Sequence, residues 1–171
     1  PIPRVINQPI IHAYADRIGI VFPVYMWGMP IIVRRFVQKL QIDKTAYPDP
    51  YIFAVTNYGG FPAGTLPQLN TLLKDNGLML AAGYGIRMPG NYAPLYGALP
   101  EDVQQKYFTQ MKLKVKGIAQ DLKSLRKGYI EKNNFLVNLI FTGLIYKGGS
   151  TQIRESDRKY WVNNKCDSCG V

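Results

Sequence analysis

Residues 17–40 read RIGIVFPVYMWGMPIIVRRFVQKL, and this stretch decides the fold. Residues 17–22 form a short β-branched apolar run that stops at Pro23, as a buried strand does. The loop PVYMWGMP follows. Over residues 31–40 the apolar spacing changes to three and four: Ile32, Val33, Phe36, Val37 and Leu40 share one helical face, with Arg34, Arg35 and Lys39 turned away. The order is strand, loop, helix.

The same unit recurs downstream. A connector rich in Pro and Asp, DKTAYPDP, leads to the apolar run YIFAVT and the glycine-rich loop NYGGFPAG. A helix expected over residues 65–76 packs through Leu66, Leu69, Leu72 and Leu73 and stops at Gly77, which tolerates the positive φ of a helix C′ position. LMLAAGYGIRM supplies a third strand. The last helix opens at LPEDVQQ, where proline and acids suit a first turn. Val103, Tyr107, Met111, Val115, Ile118, Leu122 and Leu125 recur down one face of it, and Gly128 closes it. The pattern β-α-β-α-β-α predicts an α/β fold: a parallel sheet with right-handed crossovers and helices on both faces.

A chain of 171 residues has room for one well-buried domain and an appendage. With 47% hydrophobic and 19% charged residues its composition is globular and excludes a disordered chain. A net charge of +10 and a pI near 9.6 admit an acidic protein, nucleic acid, an anionic membrane surface or an anionic cofactor. Much of the excess falls in one segment, where Lys112, Lys114, Lys116, Lys123, Arg126, Lys127 and Lys132 face only Asp121 and Glu131. Two readings remain, a solvated helix face or a docking patch for an acidic redox partner. Zinc-finger spacing and RNP-type motifs are absent, so nucleic acid is not expected. The apolar run FLVNLIFTGLIY (135–146) is broken by Asn138, Thr142 and Gly143. It falls short of the ~20 residues of a membrane span and reads as a packed helix or interface segment. The opening PIPRVINQPI carries neither an initiator Met nor a signal pattern, so it is expected to be the interior of a longer protein.

In open α/β sheets, ligands bind beyond the carboxyl ends of the strands. Three loops qualify: residues 23–30, with Tyr25, Met26 and Trp27 beside Gly28; residues 57–64, with Asn57, Tyr58, Gly59, Gly60 and Phe61; and residues 87–96, with Met88, Asn91, Tyr92 and Tyr96. Aromatics beside glycines suit a flat heteroaromatic ligand stacked on Tyr25 or Trp27, its polar rim read by the backbone of residues 57–60. Alternatively, the aromatics cap the sheet end and seal the core. No catalytic carboxylate pair, GxSxG, HExxH or Walker sequence is evident, and the single histidine, His12, reads as a surface or packing residue. Any enzymatic chemistry would then be carried by a cofactor. The two cysteines, Cys166 and Cys169, sit in the closing CDSCGV. They do not point to a disulfide scaffold, favour a cytoplasmic setting, and fit a zinc half-site, a redox pair or the first ligands of an iron–sulfur cluster. A thioredoxin-type pair needs a helix amino end after a strand, which this tail does not offer.

GIVFPVYMWGMPIIVRRFVQKL, PYIFAVTNYGGFPAGTLPQLNTLLKDNGL, GIRMPGNYAPLYG and KYWVNNKCDSCGV, in that order, resemble the bacterial flavodoxin–ferredoxin fusion proteins. In that family an FMN-binding flavodoxin-like domain precedes a module with two 4Fe–4S clusters. The resemblance implies a flavodoxin-like domain over residues 1–130, then a connector and the start of a ferredoxin module over 131–171. It implies FMN contacts from Pro23, Val24, Tyr25, Met26, Trp27 and Gly28 and from Thr56, Asn57, Tyr58, Gly59 and Gly60, with Cys166 and Cys169 as cluster ligands. The implied function is electron transfer between flavin and clusters, exchanged with a redox partner. Two departures stand out. The family's phosphate loop, of the type SGTGNS, with its strand and helix, does not occur before Arg17. The FMN phosphate would lack its nest of backbone donors. CDSCGV supplies the first two cysteines of CxxCxxCxxxCP and stops before the third. Two other functions stay open: an FMN-dependent NAD(P)H:quinone-type or nitro-type reductase, and an interaction module without cofactor that uses the basic helix.

Overall fold

The computed structural model describes residues 1–90, 97–132, 135–149 and 161. In chain order these form α1 (Ile2–Val5), β1 (Ile11–Ala13), β2 (Arg17–Pro23), α2 (Ile31–Lys39), β3 (Leu40–Ile42), β4 (Tyr51–Tyr58), α3 (Thr65–Asp75), β5 (Leu80–Arg87), α4 (Glu101–Lys123) and β6 (Tyr129–Ile130). A helical strap follows, made of α5 (Phe135–Val137), a π-helix (Asn138–Tyr146) and α6 (Lys147–Gly149).

The main sheet has the order β2-β4-β5-β6 and is parallel throughout, as the alternation of strands and helices predicts. Arg17 pairs with Tyr51 and Pro23 with Asn57, while Asn57 pairs with Ile86. The carboxyl ends of β2, β4 and β5 therefore lie side by side.

Strand periodicity divides the core in two. Along β4, Ile52 and Ala54 face α2 and α3 and pack with Ile20, Phe22, Val33, Val37, Leu66, Leu69 and Leu73. Tyr51, Phe53 and Val55 face the other side, where Ala81, Ala82 and Tyr84 meet Ile118 of α4. Helices thus cover both faces. Asn76 Nδ2 donates to the Val37 carbonyl and ties the end of α3 to α2. Gly77 takes φ +66, the left-handed conformation expected of it. Among the described residues no helix is long and apolar enough to cross a membrane.

In the second core Tyr84 donates its hydroxyl proton to Asp121 at 3.1 Å, and Tyr51 donates to the Arg126 carbonyl at 2.7 Å. Burial pushes the Tyr84 hydroxyl well above its ordinary range, and the Asp121 carboxylate adds to it. Burial and Asp121 raise Tyr51 as well, and burial and Glu131 raise Tyr129.

Three expectations are corrected. Leu40 is not helical: the chain leaves α2 with Leu40 extended, because β3 finds a parallel partner in β1, with Ile11 opposite Leu40. Ile32 is exposed, whereas Lys39 folds across to donate to the Ile6 and Gln8 carbonyls at 2.8 and 3.0 Å. On α4 only Ile118 is buried, Val115 is exposed, and the helix ends at Lys123 instead of reaching Gly128. Gly128 N donates to the Ala81 carbonyl at 2.9 Å, which starts β6 alongside β5 and ends the helical run early.

Candidate functional site

The loops at the sheet's carboxyl ends are tied together by backbone hydrogen bonds that prolong the strand ladders. Val24 N donates to Asn57 O at 2.8 Å, and Met88 N donates to Tyr58 O at 2.9 Å. Beyond Val24 the chain doubles back at once. Tyr25 N donates to Gly28 O at 2.9 Å and Gly28 N donates to Tyr25 O at 3.0 Å. The two residues between them, Met26 and Trp27, take φ 47 and 60, the pair of left-handed conformations that a mirror-image two-residue turn requires. Side chains rarely occupy this region, at a cost of roughly 1–2 kcal/mol per residue, so the surrounding contacts must hold the turn.

That turn sends its aromatic residues in opposite directions. Tyr25 is 52% exposed and Met26 40% exposed. Trp27 points back into an aromatic cluster, 5.9 Å from the Phe61 ring and 5.0 Å from Phe141, while Phe61 and Phe141 meet edge to face at 4.8 Å. Gln68 on α3 accepts from Met29 N at 3.1 Å and holds the far end of the loop. Pro23 lies at the strand end, exposed, and Val24 is half-buried.

In the second loop Asn57 and Gly60 are exposed, and Tyr58 and Gly59 are half-buried. Open space surrounds Gly60, where an added Cβ would meet nothing within 4 Å. Arg87 Nε donates to the Gly59 carbonyl at 3.3 Å. Thr56 is fully buried, and its Oγ1 has no hydrogen-bond partner among the described residues.

The strap is the part of this site that sequence reasoning missed. Thr142 Oγ1 accepts from Gly64 N at 2.8 Å and donates to the Trp27 carbonyl at 2.8 Å, so one hydroxyl clasps both loops. Tyr146 donates its hydroxyl proton to the Met29 carbonyl. Its ring lies on Gly28, where a Cβ would come within 2.3 Å, so glycine is required there for close approach. The Arg34 guanidinium stands 5.8 Å from the Tyr146 ring centre. A signal existed in the sequence. The polar residues that interrupt the run 135–146 include Thr142, which faces inward onto the two loops while Leu136, Leu139, Ile140, Leu144 and Ile145 are exposed.

The fit to a flavin is therefore divided. Tyr25 offers an exposed ring with the open Gly60 near it, whereas the Asn57, Tyr58 and Gly59 carbonyls already accept hydrogen bonds and Thr56, 0% exposed, shares the core-facing side of β4 with Ile52 and Ala54. Only the exposed Tyr25 ring and the open Gly60 fit the ring system of FMN. Trp27 does not fit as a stacking face, because Phe61 and Phe141 occupy its surroundings. The amino end of α3 offers a phosphate neither its cap N–H nor its first helical one, because Gly64 N already donates to Thr142 and Thr65 N to the Pro62 carbonyl.

Of the third loop, Asn91, Tyr92 and Tyr96 lie outside the described residues, as do Cys166 and Cys169. Among the described residues no group of three or more His, Cys, Asp or Glu side chains gathers as a metal site. His12 is exposed on β1, its ring 6.0 Å from that of Tyr14. Comparison with protein-family profiles, curated proteins and solved structures finds no match to the chain.

Proposed function

We propose that the chain is a flavodoxin-like electron-transfer domain that holds FMN at the carboxyl ends of β2 and β4. In this reading it exchanges electrons in the cytoplasm with 4Fe–4S clusters of a ferredoxin module whose first ligands are Cys166 and Cys169. The observation that supports it is the placement of an exposed Tyr25 and an open Gly60 at neighbouring strand ends, brought about by the parallel pairing of Pro23 with Asn57. Tyr25 would stack on the ring, and the open backbone at Gly60 would meet its polar edge. Bound flavin supplies one- and two-electron chemistry that no side chain has. The protein's part is to orient the ring and to keep water from one side of it.

Titration of FMN with the protein, followed by flavin fluorescence, tests the reading. Saturable binding is expected, weakened about tenfold or more in Tyr25→Ala by loss of the stacking face and little changed in Trp27→Phe. Failure to bind flavin at micromolar protein overturns it. That outcome would favour an interaction module without cofactor, a second reading supported by the way Thr142 closes the amino end of α3. Steady NAD(P)H oxidation by the flavin-loaded protein, unaffected by replacing both cysteines, would instead indicate a reductase.

A further inference from the structure

The outward face of α4 carries charges that the fold does not use. This helix of 23 residues buries only Ile118 and has acids only at its ends, Glu101, Asp102 and Asp121. Each of the cations near those acids is committed. Lys106 pairs with Asp102 at 3.6 Å, Arg126 with Asp121 at 3.0 Å, and Lys127 with Asp49 at 2.7 Å. Lys114 turns inward to Glu131 at 2.7 Å, where the same carboxylate accepts from Gly85 N at 3.0 Å.

Lys112, Lys116 and Lys123 remain. All three are exposed, and none has an ion-pair partner among the described residues. Their spacings of four and seven place them in one stripe along the helix, with charges ~6 and ~10 Å apart along the axis. On either side of the stripe stand Leu113, 65% exposed, and Val115, 42% exposed.

We propose that this stripe is a docking surface for an acidic protein. Carboxylates opposite the lysines would neutralise a line of positive charge that has no partner in the fold, and the flanking aliphatic residues would exclude water around those pairs. The arrangement is poorer for the other anions. Nucleic acid would find no exposed aromatic ring for its bases on this face, since Phe108, one turn before Lys112, is half-buried and Tyr107 lies on the opposite side beneath Arg87, 5.1 Å from its ring centre. A bilayer presents a two-dimensional array of charge, whereas these three lysines form a single line. The surface stands apart from the flavin loops, and its test does not require flavin.

The test uses fluorescein-labelled poly-L-glutamate as the acidic probe, followed by anisotropy at low and physiological salt. Vesicles containing phosphatidylserine and a single-stranded RNA serve as competing anions. The triple variant Lys112→Glu, Lys116→Glu, Lys123→Glu is compared with Arg4→Glu, Arg35→Glu, Lys74→Glu, which changes net charge equally on other exposed positions. Binding of polyglutamate should weaken about tenfold or more in the α4 triple and less than about threefold in the control, with strong salt dependence in the parent. Equal weakening in both triples overturns the proposal, because it would show attraction by net charge alone. It is also overturned if RNA or vesicles bind as tightly as polyglutamate and lose binding in the same α4 triple. A second triple with Gln at the three α4 positions keeps the result readable should the Glu version misfold.

Discussion

Thr56 lies two residues before the end of β4 with its side chain fully buried, yet its Oγ1 has no hydrogen-bond partner among the described residues. A buried hydroxyl without a partner costs the folded state its desolvation, and replacing it with an isosteric methyl removes that cost. Thr56→Val is accordingly expected to hold stability or raise it by up to ~1 kcal/mol in urea unfolding. A clear loss of stability would mean that the hydroxyl already has a use in the folded chain. Tyr25 and Trp27 make the complementary point. Two aromatic residues two positions apart look equivalent in sequence, but one is 52% exposed and the other is enclosed by Phe61 and Phe141. The left-handed turn at Met26 and Trp27 separates them.

The strap is the element on which the site's shape depends. π-helical turns are rare and are found mostly at functional positions, and here a run of nine residues lies over the loops that the topology marks for ligand binding. Its hold is local: the Thr142 hydroxyl between Gly64 N and the Trp27 carbonyl, Tyr146 on Gly28, and Phe141 against Trp27. Thr142→Val keeps the side-chain shape but leaves Gly64 N without its acceptor. A loss of about 1–3 kcal/mol is expected from thermal or urea unfolding. Trp27 emission should shift to the red in the folded variant as water reaches the loosened cluster. A variant with unchanged stability and emission would show that the strap is held by its rings alone.

At the scale of the whole molecule, two cores on opposite faces of one sheet respond differently to pH. The core beneath α2 and α3 is aliphatic, whereas the one beneath α4 holds Tyr51 and Tyr84, with Tyr129 packed 5.4 Å from Tyr84. All three hydroxyls are pushed above the ordinary tyrosine range, chiefly by burial. Below about pH 10 they are neutral in both folded and unfolded chains, so stability is complete there. As pH rises past that value the unfolded chain gives up protons that the folded one retains, and stability is lost. Melting temperature should therefore hold through neutral pH and fall above about pH 10, and Tyr84→Phe should flatten that fall. Much of this architecture was legible beforehand. The strand runs at residues 17–22 and 51–56, the helix ending at Gly77 and the first two carboxyl-end loops all follow from apolar period and from glycine and proline at element ends. These signals are local, set by neighbours within a turn or a strand. The parallel α/β order was thus determined by the amino-acid sequence alone. The pairing of β1 with β3, the early end of α4 and the clasp of the strap were decided only by the tertiary structure. Thr142 reaches Trp27 across 115 positions, and Tyr146 reaches Met29 across 117. No periodicity within an element reports a contact between residues that folding alone brings together.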